Sequence, residues 1–127
     1  DQLKTHQDPW SVNSLAAFAG ERMFRDTAFH DASKRLISAE RKKALAELSS
    51  WKHLKAYPSS ANFILLHLLT DQITAEELFE RLIVKKMLIR DASSFAFLDE
   101  TFLRFCILRP TDNAMLLAEL KQLVETP

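Results

Sequence analysis

Two arginines in apolar segments are the residues of this sequence best suited to chemistry. Arg90 ends the short segment 87–90, and Arg104 lies inside the apolar run 102–108. A guanidinium stays charged at physiological pH, so an apolar setting is costly for it unless an anion is bound there. Its planar fork matches the oxygens of carboxylate and phosphate groups. The two arginines therefore indicate an anion-binding site.

An internal ion pair is the alternative interpretation of these arginines. Asp91, Asp99 and Glu100 lie between the two segments, within reach of either guanidinium in a hairpin. Any of these acids could neutralise an arginine without a ligand. From the residues alone, both interpretations stay open.

Other reactive residue types form no complete catalytic set. The four histidines are scattered, with no pair at helical ligand spacing, so no metal site is predicted (His6, His30, His53, His67). Cys106 lies in an apolar run and is predicted to be a small buried residue rather than a nucleophile. Ser93 and Ser94 lack a pattern linking them to a base. The phenylalanines of this half are predicted to be core rather than a stacking surface (Phe63, Phe95, Phe97, Phe102, Phe105).

Composition excludes several classes of function. The chain has 127 residues, enough for one domain with a core, and its 17 basic and 17 acidic residues balance. Such a balance predicts neither a nucleic-acid nor a membrane partner. The single glycine, Gly20, excludes a glycine-rich phosphate loop. The lone cysteine fits a reducing compartment, and we expect a cytoplasmic protein.

The first part of the chain is predicted to be helical. After a polar lead-in over Asp1–Pro9, Ser11 or Asn13 can cap a helix to about Arg25. A second helical pattern over Thr27–Leu48 has a weak apolar stripe, as expected for a connection between domains. Its charged block, Glu40–Lys43, is predicted to be a solvated face.

After residue 49 the pattern alternates between strands and helices. The predicted strands are Leu54–Tyr57, Asn62–Leu69 (covered on both faces), Met87–Arg90 and Phe102–Leu108. A capping box at Thr74 opens a helix to about Lys86, and Thr111 is predicted to cap a last helix that ends before Pro127. The predicted class is α/β of the α+β type. A helical arm (1–49) precedes a small, mostly antiparallel sheet packed with helices (50–127).

Three segments resemble the C-terminal part of fold-type I, pyridoxal-phosphate-dependent aminotransferase-like enzymes. They are Pro9–Ala16, Ser60–Leu65, and the pattern Ile89-Arg90-Asp91, Phe102-Leu103-Arg104 and Asp112-Asn113. The third pattern is the most specific. The most similar groups are the threonine-phosphate decarboxylases of cobalamin synthesis and the histidinol-phosphate aminotransferases.

The resemblance implies a role for each arginine. Arg104 corresponds to the family's arginine that binds the substrate's α-carboxylate, and Arg90 to a second arginine that contacts a phosphorylated amino-acid substrate. It also implies pyridoxal 5'-phosphate as cofactor and a homodimeric parent enzyme. The cofactor lysine is not found here: Lys34 follows Ala32-Ser33 but lacks the family's Gly-x-Arg. This chain alone is therefore expected to contain no cofactor-binding residue and to be inactive.

The local pattern favours the decarboxylases over the aminotransferases. Arg104 is followed by Phe105-Cys106 without the glycine usual in the aminotransferases, and Arg90-Asp91 is followed by Ser94-Phe95. Leu108 and Ala96 depart from the family pattern and leave the substrate open. A histidinol-phosphate-type aminotransferase domain and a non-catalytic α+β interaction module are the alternatives.

Overall fold

The part of the chain that the structure describes, residues 12–125 of a computed structural model, is built from four helices and four strands. In chain order these are α1 (Ser14–Arg25), α2 (Thr27–Leu48), β1 (Leu54–Ala56), β2 (Phe63–Leu68), α3 (Ala75–Ile83), β3 (Arg90–Asp91), β4 (Phe102–Cys106) and α4 (Pro110–Glu125). The predicted polar lead-in, the cap at Ser11 and the chain end at Pro127 lie outside the described residues.

The described part of the chain divides into two compact units, with the division between Lys34 and Arg35. In the first unit, α1 begins after Asn13, whose side-chain oxygen accepts a 2.8 Å hydrogen bond from the Ala16 amide. No side chain of α1 is buried. The predicted domain division at residue 49 stays a prediction.

The second unit contains an antiparallel sheet with the strand order β1-β2-β4-β3. The central pair sets Leu65 opposite Arg104 and Leu66 opposite Leu103. The predicted fold class, a small antiparallel sheet packed with helices, is confirmed.

Within residues 12–125, one face of this sheet is much more fully covered than the other. Alternate residues of the central strands are fully or almost fully buried and form the core with the helices of the unit (Ile64, Leu66, Leu68, Leu103, Phe105). The residues between them are only half-buried (Phe63, Leu65, His67, Phe102, Arg104). The prediction that β2 is covered on both faces was wrong, because an antiparallel sheet can pack one face and leave the other open. We call the second face the open face.

Several element ends differ from the sequence-based bounds. The capping box at Thr74 is confirmed, but α3 ends at Ile83, and Lys86 has a φ of 61° in the following turn. The strand predicted over Met87–Arg90 therefore begins later, and β3 contains only Arg90 and Asp91. Helix α4 begins at Pro110, so Thr111 lies within its first turn and does not cap it. Proline fits that first position because its missing N–H would have no helical partner there.

A buried polar network joins α2 to the start of α4. The Asn113 amide donates to the Glu40 carboxylate (3.1 Å) and to the Leu108 carbonyl (3.0 Å), and its oxygen accepts from the Leu108 N–H (2.8 Å). Glu40 also accepts from Lys43 at 2.8 Å. Glu40 is 5% exposed, so the predicted solvated face was wrong at this residue. Its burial is tolerated because hydrogen bonds satisfy both carboxylate oxygens.

We expect Asn113→Ala to lower the free energy of unfolding by about 1–3 kcal/mol, since it leaves the Leu108 backbone groups and Glu40 without their partner. Urea unfolding of the 127-residue chain measures this. Gln122→Ala, on the exposed side of the same helix, is the matched control and should change stability little. Equal effects of the two variants would contradict the network's role.

Glu40 should also make stability depend on pH. The hydrogen bonds from Lys43 and then Asn113 outweigh the effect of burial and hold the pKa of Glu40 below its usual value. A lowered folded-state pKa gives stability that is present above the unfolded pKa and lost as pH falls through the folded one. Glu40→Gln should therefore destabilise the chain at pH 7, with the difference from wild type shrinking below about pH 4.3. Unfolding curves between pH 7 and pH 3 test this, and a difference that does not change with pH would contradict it.

Candidate anion-binding site

The structure brings the two predicted arginines together on neighbouring strands. Arg90 and Arg104 are direct partners in the register of β3 and β4. Side chains of direct antiparallel partners project from the same face, so both arginines belong to the open face. Arg104 is half-buried and Arg90 is exposed.

The nearby acids have other partners. The Asp91 carboxylate accepts from the Ser93 N–H at 2.8 Å and from the Ser93 hydroxyl at 2.9 Å. Asp99 accepts hydrogen bonds from the Thr101 hydroxyl and from the Thr101 N–H. Both bonds lower the pKa of Asp99, and the bond from the hydroxyl has the larger effect. Within residues 12–125, no carboxylate lies within 4.0 Å of either guanidinium. The internal ion pair is therefore not formed in the described part of the chain.

Aromatic rings contact the two guanidinium groups instead. The Arg104 Cζ atom lies over the Phe63 ring at 4.8 Å from its centroid and over the Phe95 ring at 5.4 Å. The Arg90 Cζ atom lies over the same Phe95 ring at 5.1 Å. Phe63 belongs to β2, and Phe95 to the loop between β3 and β4. Sequence reasoning missed this role, because the strand register that places Phe63 beside Arg104 is not visible in the sequence.

The pairing of two like charges is unfavourable without an anion. Like charges directly opposite each other across a strand pair repel. The nearby rings attract each guanidinium only weakly and carry no net charge, so they do not neutralise the pair. A bound carboxylate or phosphate would remove the repulsion and accept hydrogen bonds from the two forks. This arrangement can bind and orient an anion, but neither arginine is a nucleophile or a base at neutral pH.

Cys106 differs from its predicted burial, since its side chain is exposed. It is two residues beyond Arg104, and strand alternation places both on the open face. Cys106 also borders a cavity of about 440 Å³ with Lys85, Lys86 and Arg109. Lys85 is paired with Glu119, and Arg109 with Asp112. This cavity therefore carries less uncompensated positive charge than the arginine pair.

The remaining sequence-based interpretations have mixed outcomes. Phe105 is core as predicted, whereas Phe95 is 40% exposed and Phe97 is fully exposed. His67 stacks on Phe102, with their ring centroids 4.2 Å apart.

Among the described residues, no group of three or more potential metal ligands is found. None of the helices described is long and apolar enough to cross a membrane.

Comparison with known proteins identifies clear relatives, although no family model matches the chain. It is 36% identical over 124 residues to a putative threonine-phosphate decarboxylase of Caldanaerobacter subterraneus, which covers 98% of this chain and 33% of that protein. It is 32% identical over 123 residues to the threonine-phosphate decarboxylase of Salmonella typhimurium, and the match covers 97% of this chain and 33% of that protein. It is 35% identical over 127 residues to a histidinol-phosphate aminotransferase of Dehalococcoides mccartyi, and the match covers 98% of this chain and 34% of that protein.

Solved structures agree with these matches. The histidinol-phosphate aminotransferase of Clostridium acetobutylicum matches with a TM-score of 0.80 and 30% identity, over 99% of this chain and 37% of that one. The L-threonine-O-3-phosphate decarboxylase of Porphyromonas gingivalis matches with a TM-score of 0.78 and 29% identity, over 98% and 38%. The chain thus spans about a third of the length of the relatives it matches.

If the arginine pair binds anions, phosphate should stabilise the folded chain. At equal ionic strength, we expect phosphate to raise the Tm above its value in chloride by about 2–5 °C, since a ligand of the folded state adds stability. The double variant Arg90→Gln/Arg104→Gln should lose this difference. Differential scanning calorimetry of the 127-residue chain measures it.

The matched control for this test is Arg81→Gln/Lys121→Gln, which removes the same charge from two exposed helix positions. It should keep the phosphate effect. Loss of the effect in the control as well would mean that phosphate acts through general charge or solvent effects, and the arginine pair would not be an anion site.

Proposed function

We propose that this chain, which matches the small domain of a fold-type I pyridoxal-phosphate-dependent enzyme, supplies the residues that bind the anionic groups of a phosphorylated amino acid. The observation that carries the proposal is the arginine pair. Arg90 and Arg104 are direct strand partners and have no carboxylate partner in the described part of the chain. The relatives named above are enzymes, and their names specify phosphorylated substrates.

Arg104 is proposed to bind the substrate's α-carboxylate. It lies on a central strand whose neighbouring residues, Leu103 and Phe105, are buried in the core. A side chain on such a rigid element has a well-defined origin, which favours precise orientation of the group that it binds. Arg90 lies on an edge strand and is exposed, and we assign it to the same carboxylate or to the phosphate.

The described residues do not fit pyridoxal phosphate by themselves. The cofactor needs a lysine amine, an acid for its ring nitrogen and donors for its phosphate. Lys34 is exposed on helix α2 and is not followed by the Gly-x-Arg of the cofactor lysine in the family that the sequence resembles. We therefore place the cofactor-binding residues in a part of the parent enzyme outside this chain. The proposed contribution of this chain is binding and orientation.

Decarboxylation of L-threonine O-3-phosphate is the reaction that we propose for the parent enzyme. The sequence around the arginines supports it, because Arg104 is followed by Phe105-Cys106 without a glycine. Transamination of histidinol phosphate is the second candidate, supported by the similarity to aminotransferases at 35% identity and a TM-score of 0.80. A free-standing interaction module is the third, and a reading frame that continues upstream through a cofactor-lysine segment would exclude it.

The arginine assignment predicts the kinetics of a full-length enzyme that contains this chain. Arg104→Ala should lower kcat/KM for L-threonine O-3-phosphate by about 100-fold or more, corresponding to about 3 kcal/mol for a lost charged contact. Arg81→Ala, the same chemical change on helix α3, is the control and should leave kcat/KM near wild type. Unchanged kinetics in Arg104→Ala would refute the assignment.

The two reactions are separated by their products in the same assay. The decarboxylase should release CO2 from L-threonine O-3-phosphate without a 2-oxo acid. Consumption of a 2-oxo acid with histidinol phosphate, and no release of CO2, would favour the aminotransferase.

A further inference from the structure

The Phe95 ring contacts the guanidinium groups of both Arg90 and Arg104, at 5.1 and 5.4 Å from its centroid. A single neutral side chain therefore touches both members of a like-charged pair. The π-face of an aromatic ring attracts a cation, by about 0.5–1 kcal/mol at exposed sites. Phe95 thus offsets part of the repulsion between the two arginines.

A ring contact leaves the hydrogen-bonding capacity of a guanidinium intact. A carboxylate partner would occupy the N–H groups, whereas a ring lying against the guanidinium carbon does not accept conventional hydrogen bonds from them. Within residues 12–125, neither arginine side chain donates a hydrogen bond that would compete with a ligand. The ring can therefore restrain both side chains while their forks stay available.

The loop around Phe95 is ordered by its own hydrogen bonds. The Phe95 N–H donates to the Ala92 carbonyl at 3.0 Å, and the Leu98 N–H donates to the Phe95 carbonyl at 3.1 Å. Ala92 is fully buried, and its N–H donates to the Phe102 carbonyl of β4 at 2.9 Å. These bonds fix the backbone that carries the ring relative to the strand that carries Arg104.

We propose that Phe95 is a positioning residue that orients both arginines for anion binding, with Phe63 acting on Arg104 alone. This inference rests on the proposed function, because the orientation matters for function only if the arginines bind a substrate anion. Restraining a long side chain before binding lowers the entropy lost when the ligand is bound. Phe95 should therefore change affinity without contacting the ligand.

The first test measures side-chain order directly. In the 15N-labelled 127-residue chain, heteronuclear NOE values at the arginine Nε positions report fast motion of each guanidinium. Phe95→Leu should lower the values of both Arg90 and Arg104 towards that of exposed Arg81, and Phe63→Leu should lower only that of Arg104. The conservative variant Phe95→Tyr keeps an aromatic ring at this position, so its NOE values should stay at the wild-type level.

The second test measures the affinity for inorganic phosphate by NMR titration. Phe95→Leu should weaken binding about two- to fivefold, the factor that corresponds to the loss of one exposed cation–π contact. Phe97→Leu is the matched control: this residue lies in the same loop, is fully exposed, and should leave both readouts unchanged. Thermal unfolding of each variant checks that the fold is intact.

The outcomes separate this inference from the proposed function. If the wild-type chain binds no phosphate, the anion-binding role fails, and the NOE values alone decide whether Phe95 orders the arginines. If phosphate binds but Phe95→Leu leaves the NOE values and the affinity unchanged, the positioning role is overturned. The same holds if Phe97→Leu reproduces the effects of Phe95→Leu.

Discussion

The pairing of β2 with β4 is the constraint on which the rest of the second unit depends. These two central strands bury Ile64, Leu66, Leu103 and Phe105 on one face almost completely. Strand side chains alternate, so the same register that builds the core also determines which residues occupy the open face. A shift of one residue would exchange the two sets and move Arg104 towards the core. The stability of the core and the location of the arginine therefore have one origin.

The electrostatics of the open face follow from this register. Arg90 and Arg104 are placed opposite each other, and the acids nearest in sequence, Asp91 and Asp99, are hydrogen-bonded within their own turns. Those turns keep the carboxylates from neutralising the guanidinium groups. The loop thus shapes the hairpin and also leaves its positive charge available, which is what a site for an anionic ligand requires.

Much of this fold could be predicted from its sequence because the local signals were strong. The capping box at Thr74 and the helix over Thr27–Leu48 agree with the structure, as does the antiparallel sheet. Burial was harder to predict. The sequence predicts a solvent-exposed Glu40, because the partner that satisfies its carboxylate in the core, Asn113, is 73 residues away in sequence. The sequence predicts a buried Cys106, because an apolar run does not reveal which of its two faces is covered in the folded protein.

The candidate site was predictable only in part for a related reason. An arginine among apolar residues is visible in one sequence, so Arg104 and Arg90 could be named directly. The contacts that surround them could not be named, because Phe63 comes from another strand and Phe95 from a loop. The resemblance to known enzymes indicated a use for the arginines. The register of the strands explains why both side chains share one face.

The Asn113 network has a mechanical consequence for the open face. One amide side chain joins Glu40 of helix α2 to Leu108, which lies two residues beyond the strand that carries Arg104. A displacement of this part of α2 would either move the end of that strand or strip buried polar groups of their partners. The segment of α2 around Glu40, which lies in the second unit, and the end of the arginine strand are therefore coupled in position.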